Sequence, residues 1–309
     1  MSLRRWSLSP AMVAAFRLLL ATALVAGSPV QARAPSPAPR ENLDSSLREA
    51  VHSVPVAAAG ANIVVTSYRP PGNGPFPWIV LSHGSATTAE ANRAIGRNRN
   101  PSLAREWVRR GYAVLAPIRR GYGASGGDKF GDERGDCKRP DYRASGEGAA
   151  LDLLATIEWA RTQRDLDPKR WLLVGQSAGG FASIYTASKR PAGLIAVLAF
   201  SPGRGANPDK RPGEPCAPDS MAALFASIAP KIAVPVLWFY AENDEYIGPR
   251  VQKLWFDSFR AAGGRGELFV APPFPERRGH GVFAAPAGIP IWTPAVAGFF
   301  RSQKLGLPF

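Results

Sequence analysis

The chemistry in this sequence gathers around a serine, a histidine and a carboxylate. The serine lies in Gly175-Gln176-Ser177-Ala178-Gly179, a G-x-S-x-G pattern. A serine hydroxyl is a weak nucleophile until a base takes its proton, and histidine is the natural base. The histidine in turn needs a carboxylate to fix its tautomer and steady the imidazolium. Three histidines are present: His52, His83 and His280. Only His280, in Gly279-His280-Gly281, comes after both the serine and a suitable acid. That acid is expected in Ala241-Glu242-Asn243-Asp244-Glu245, just beyond an apolar run at residues 236–240. Asp244 is four residues past the run, far enough for the chain to turn toward the serine. Glu242 is its main rival and Glu245 a lesser one. His52, in or beside the first strand, reads as structural, and His83 as a loop-fixing residue.

The serine pattern alone says little, because Gly123-Ala124-Ser125-Gly126-Gly127 repeats it. Context separates the copies. An apolar run at residues 171–174 leads straight into Gly175, and a helical stretch, 178–188, follows Ser177. A strand, a sharp turn and a helix expose a hydroxyl at the end of a sheet, and the turn is tight enough to demand small flanking residues. The helix N-terminus then favours developing negative charge. Ser125 has polar, Gly-rich sequence on both sides and no helix after it, and is read as a loop residue.

Strands and helices alternate along the rest of the chain. Continuous apolar runs at 78–82, 113–118, 171–174, 194–200 and 236–240 read as strands buried on both faces. Helical patterns at 102–110, 145–162, 178–188, 248–262 and 293–301 lie between or after them. Further strands are expected at 63–68 and 268–271, and a short helix near 221–228. This predicts one α/β domain with a mainly parallel central sheet and helices on both faces. Ligands of such sheets bind beyond the carboxyl ends of the strands, where Ser177, Asp244 and His280 fall. Seven tryptophans (78, 107, 159, 171, 238, 255, 292) sit in apolar surroundings and are expected to pack the core rather than form a stacking platform.

With these motifs placed, the sequence resembles the α/β-hydrolase superfamily, and within it the dienelactone hydrolase-like and prolyl oligopeptidase-like catalytic domains. The resemblance spans roughly residues 60–302 and includes the order Ser177, Asp244, His280. It implies the α/β-hydrolase fold. It also implies that His83-Gly84 opens an oxyanion loop, with the backbone N–H groups of Ser85 and Ala178 as donors. The family's Asp-x-Arg-Gly-x-Gly-x-Ser segment is matched by Arg120-Gly121-Tyr122-Gly123-Ala124-Ser125, except that Ile118 stands in place of the Asp. The activity implied is cleavage of carboxylic esters through an acyl-enzyme. A serine peptidase acting on short peptides is the first alternative and a catalytically silent binding protein the second. Prolyl oligopeptidase-like domains usually follow a β-propeller, for which this sequence has no room, so the ester reading is preferred.

Residues 1–32 read as a signal peptide: Arg4, Arg5 and Arg17 precede or flank an apolar run at 18–27, and Val30-Gln31-Ala32 supplies small residues for cleavage. An uncleaved anchor is the competing reading. Residues 33–49, rich in Pro and Ala at their start, are expected to be a disordered lead-in, and 50–309 the hydrolase domain. A secreted or periplasmic protein with no lasting membrane insertion follows. The two cysteines, Cys137 and Cys216, then suggest one disulfide joining two loops on the presumed active-site side, with a bridge remote from the site as the alternative. The net charge of +14 includes three leader arginines and comes mostly from arginines spread along the chain. No dense basic block interleaved with aromatics appears, so nucleic acid is not expected as a partner. Two cysteines and three histidines without ligand-like spacing suggest no metal, and the chemistry requires no cofactor. The expected partner is a small ester substrate. Oligomeric state is left open.

Overall fold

A computed structural model describes residues 42–127 and 129–309; the expected leader and the lead-in up to residue 41 lie outside them. The packed unit is Leu43–Phe309. It contains strands β1 (Ala50–Val56), β2 (Ala61–Tyr68), β3 (Phe76–Ser82), β4 (Ala113–Ile118), β5 (Leu166–Gln176), β6 (Leu194–Phe200), β7 (Val236–Ala241) and β8 (Gly266–Ala271). The helices are α1 (Ala89–Arg93), α2 (Pro101–Arg109), α3 (Tyr142–Arg161), α4 (Ala178–Ala187), α5 (Pro218–Ile228), α6 (Pro249–Ala261) and α7 (Ile289–Ser302). Among the described residues, no helix is long and apolar enough to cross a membrane.

All eight strands form one sheet in the order β1-β2-β4-β3-β5-β6-β7-β8. β2 pairs antiparallel with β1 and β4, and every other pair is parallel. The sheet is therefore mainly parallel, as the alternating pattern predicts.

The apolar runs are continuous because each strand feeds two cores. Side chains of a strand point alternately to opposite faces. Trp78, Leu115, Trp171, Val197 and Trp238 pack under α3, α4, α5 and α6. Their neighbours Ile79, Val114, Leu172, Leu198 and Phe239 pack under α2 and α7 on the other face. Six of the seven tryptophans considered above are fully buried; Trp159 is half-buried and lies against the His52 ring.

The lead-in is shorter than the sequence suggests, because residues 43–49 are packed. Leu47 is buried, and the Glu49 carboxylate is enclosed by Arg97, Arg99 and the Asp44 amide. Burial alone would raise the Glu49 pKa, but hydrogen bonds from Arg99, Asp44 and Arg97 hold it down to about 2. Local composition carries no sign of this, since both arginines come from a segment about fifty residues on.

Candidate active site

Ser177 sits between β5 and α4 at φ 56°, ψ −122°, a backbone conformation that non-glycine residues seldom adopt. Its N–H donates to the Phe200 carbonyl (2.8 Å), and its own carbonyl accepts from Phe181 (3.0 Å) and Gly203 (3.2 Å). The strained turn is thus fixed from β6, from α4 and from the loop after β6.

The two glycines of the pattern are steric requirements. A Cβ on Gly175 would lie 2.2 Å from the Gly179 carbonyl oxygen, and one on Gly179 would lie 2.1 Å from that of Ser82. Backbone stands where side chains would have to go. The second serine copy has no such setting. The Ser125 hydroxyl donates to the Ile118 carbonyl and accepts from the Val64 N–H at 2.8 Å, which ties the loop to β2 and β4.

Asp244 lies three residues past β7 and is buried. Its Oδ1 accepts from the backbone N–H groups of Tyr246 (2.8 Å) and Ile247 (3.1 Å). His280 Nδ1 faces both carboxylate oxygens, Oδ2 at 2.9 Å and Oδ1 at 3.1 Å. Glu242 and Glu245 are exposed, and Glu245 faces Arg278 instead. Among the three carboxylates considered from the sequence, it is Asp244 that meets the histidine.

His280 is 3% exposed and stacks on the Tyr246 ring, with centroids 4.2 Å apart. Its carbonyl accepts from the Gln176 side chain at 2.6 Å. Gln176 therefore couples the serine turn directly to the histidine loop. The Asn243 side chain similarly exchanges two hydrogen bonds with the Phe274 backbone, joining the acid loop to the segment that leads into His280. Sequence reasoning passed over both residues. Gln176 fills the variable second position of the serine pattern, which signals nothing about a partner 104 residues away.

Ser177 and His280 line one cavity of about 250 Å³ with Gly84, Ser85, Ala86, Ile95 and others. A Cβ on Gly84 would lie 3.3 Å from Ser177 Cβ, so the loop after β3 runs directly against the serine turn. Ala178 opens α4, where amide N–H groups lack an intrahelical acceptor. Both expected oxyanion donors thus border the serine. A larger cavity of about 510 Å³, between β1 and α3, has an apolar lining that contains no serine, cysteine or histidine.

His83 takes a structural place in this loop. Its Nδ1 is 2.6 Å from the Gly84 carbonyl, and its Nε2 accepts from the Arg119 N–H at 3.1 Å. Burial, reinforced by the Arg119 charge, pushes its pKa well below the usual histidine range. It is a neutral ring with one tautomer set by its partners. The Arg119 guanidinium, fully buried, bonds the His83 carbonyl (2.7 Å), the Ser82 hydroxyl (3.0 Å) and Asp132 (3.0 Å). Asp132 also accepts from Tyr122 at 2.9 Å and pairs with Arg204. Burial opposes ionisation of Asp132, but Arg204 and Arg119 outweigh it and hold the carboxyl far below the ordinary range. His52 bonds Ser67 across the β1–β2 pair at 2.8 Å and stands apart from the site.

Cys137 and Cys216 form a disulfide. It joins the loop between β4 and α3 to the excursion between β6 and α5, as the even pair of cysteines suggests.

Comparison with known proteins agrees with this architecture. The profile of the X-Pro dipeptidyl-peptidase (S15) family matches residues 59–210, just under half of the chain. That stretch includes Ser177 and stops short of Asp244 and His280. No curated protein matches the sequence. Among solved structures, an esterase of Pyrococcus furiosus aligns with TM-score 0.57 and 17% identity, covering 84% of this chain and 94% of the esterase. A dienelactone hydrolase-like promiscuous phosphotriesterase from metagenomic libraries aligns at 0.55 and 18%, covering 82% and 98%. An acylaminoacyl peptidase of Pyrococcus horikoshii aligns at 0.57 and 11%, covering 84% of this chain and 42% of the peptidase. The sheet order, the strained serine between β5 and α4, and these alignments together show that this chain has the α/β-hydrolase fold.

Proposed function

We propose that this protein is an exported serine hydrolase that cleaves carboxylic esters through an acyl-enzyme. The observation that carries the reading is Ser177, on its strained turn, sharing a cavity with His280 while the far side of that ring is bonded to buried Asp244. Ser177 Oγ attacks the ester carbonyl as His280 Nε2 accepts its proton. Asp244, anchored by two backbone amides, keeps the Nδ1–H tautomer and stabilises the imidazolium. The backbone N–H groups of Ser85 and Ala178 hold the oxyanion; each such donor is worth about 10²–10³ in rate. His280 returns the proton to the departing alcohol, and water activated by the same base releases the acid.

The S15 match supports a second reading, a peptidase acting on short peptides. A free peptide amine needs a carboxylate to receive it. Among the described residues of the loop between β4 and α3, Asp132 is taken by Arg119 and Arg204, Asp136 accepts from the amides of Lys138 and Arg139, and Asp141 caps α3. Glu133 alone of them lines a cavity beside the site, and there Arg134 and Arg204 outnumber it, which favours esters over a cationic amine. Export is supported by the leader-like residues 1–32 and by the disulfide.

The test compares p-nitrophenyl acetate, butyrate and hexanoate with glycyl-prolyl-p-nitroanilide. We expect ester turnover that vanishes in Ser177→Ala, with kcat/KM for the anilide at least a hundredfold lower. Anilide turnover equal to or above that of the esters would overturn the ester reading in favour of the peptidase.

A further inference from the structure

The cavity of Ser177 shares Ser85 and Ala86 with a second hollow of about 170 Å³. The charged side chains lining this hollow are Glu133, Arg134 and Arg204. A third hollow of about 350 Å³ adjoins it through Arg134, Gly205 and Ala206, and is bounded by Lys210, Arg211 and the Cys137–Cys216 disulfide. No carboxylate lines this third space among the described residues. Four cations therefore border the two hollows against one carboxylate.

Arg69, Arg105, Arg109, Arg120, Arg161 and Arg250 each meet a carboxylate. Arg134, by contrast, bonds only the adjacent Gly135 carbonyl, and Arg211 only Cys216 Sγ, among the described residues. Arg204 gives one nitrogen to Asp132, but that carboxylate is shared with Arg119. Two arginines thus share one carboxylate, so the pair outweighs the single Asp132 charge. Burial, together with the Arg204 and Arg211 charges, presses the Arg134 pKa downward. Like charges held this close repel, and an anion between them relieves the repulsion. The disulfide keeps the two loops that carry them together.

Resting on the serine-esterase reading, we propose that Arg134, Arg204 and Arg211 form a subsite for an oxyanion on the substrate, a carboxylate or phosphate, so that the preferred ester carries a negative charge away from its scissile bond. Guanidinium forks match the paired oxygens of either group. The cavity beside Ser177 receives the ester, and the charged arm extends past Ser85 toward the disulfide.

The test has two arms. In the first, the p-nitrophenyl half-esters of succinic, glutaric and adipic acid are compared with neutral p-nitrophenyl esters of equal length. We expect kcat/KM for the best half-ester to exceed that of its neutral counterpart by roughly tenfold or more, the scale of one charge-assisted hydrogen bond. That ratio falls toward one in Arg134→Gln/Arg211→Gln and is partly restored in Arg134→Lys/Arg211→Lys. A wild-type ratio near one, or a ratio unchanged in the Gln variant, overturns the subsite. In the second arm, glutarate and inorganic phosphate are titrated calorimetrically into Ser177→Ala. Binding of either, weakened tenfold or more by the two Gln substitutions, supports the subsite and identifies which oxyanion it takes. Binding of neither overturns it. The titration needs no turnover, so it stands even if wild type fails to react with a fluorophosphonate, a result that would sink the serine-hydrolase reading alone.

Discussion

Replacing Asp244 by Asn changes one atom type in a place where the structure dictates the consequence. Asp244 Oδ1 accepts from the Tyr246 and Ile247 amides, so an Asn retains those bonds by placing its own Oδ1 there. Its NH₂ then takes the Oδ2 position, 2.9 Å from His280 Nδ1. Two donors cannot share that contact, and Oδ1, 3.1 Å from Nδ1, already accepts from two amides, so Nδ1 gives up its hydrogen and becomes the acceptor. The proton moves to Nε2, the nitrogen meant to receive the Ser177 proton, and the base is lost. The local fold survives, because both anchoring amides keep their acceptor. A fall in kcat of roughly 10⁴ follows, the scale seen when a triad carboxylate enforces the wrong tautomer. Esterase kinetics with p-nitrophenyl butyrate, beside thermal melts, measure both halves. Glu242→Gln, at an exposed position, should leave kcat within about threefold. If Asp244→Asn keeps more than a tenth of the activity, or if Glu242→Gln loses as much, Asp244 is not the orienting acid.

Two further predictions concern stability. Gly179→Ala places a methyl 2.1 Å from the Ser82 carbonyl oxygen and 2.5 Å from that of His83, a clash with backbone that should cost about 3 kcal/mol and lower Tm by roughly 6 °C or more. Gly298→Ala, in α7 with open space around it, should instead add about 0.5–1 kcal/mol, and equal melts for the two variants would contradict the packing described. Glu49, with its pKa lowered from 4.5 to about 2, contributes stability that is present above pH 4.5 and fades as pH falls toward 2, about 3 kcal/mol in all. Urea unfolding of Glu49→Gln and wild type should therefore show a gap at pH 7 that narrows by pH 3; a gap independent of pH would refute the ionised, arginine-bound state.

What was legible in the sequence was what local pattern controls. The continuous apolar runs of β4 and β6 marked strands with a core on each face, and their ends fall where the pattern put them. Ser177 was separable from Ser125 because strand, turn and helix are contiguous in the chain. Other features depend on segments that meet only in three dimensions. Glu49 reads as part of a loose lead-in until Arg97 and Arg99 close over it. Gln176 reads as a filler residue until the His280 carbonyl arrives above it. Asp244 and Glu242 are nearly equivalent in one dimension; the turn after β7 buries one and exposes the other. Asp132, in a loop full of charge, gives no hint that it lies between two arginines. The disulfide was readable from the even number of cysteines, whereas the arginines it gathers were not.

The central claim is that Ser177 is a nucleophile activated by His280, and its most direct test is covalent capture. The mature protein is treated with a neutral fluorophosphonate, and intact mass and peptide mapping locate the adduct. The account predicts one adduct per chain, on Ser177, retained in Ser125→Ala and absent in Ser177→Ala and in His280→Ala at matched exposure. Folded wild-type protein that takes up no label, or label that persists in Ser177→Ala, would contradict it.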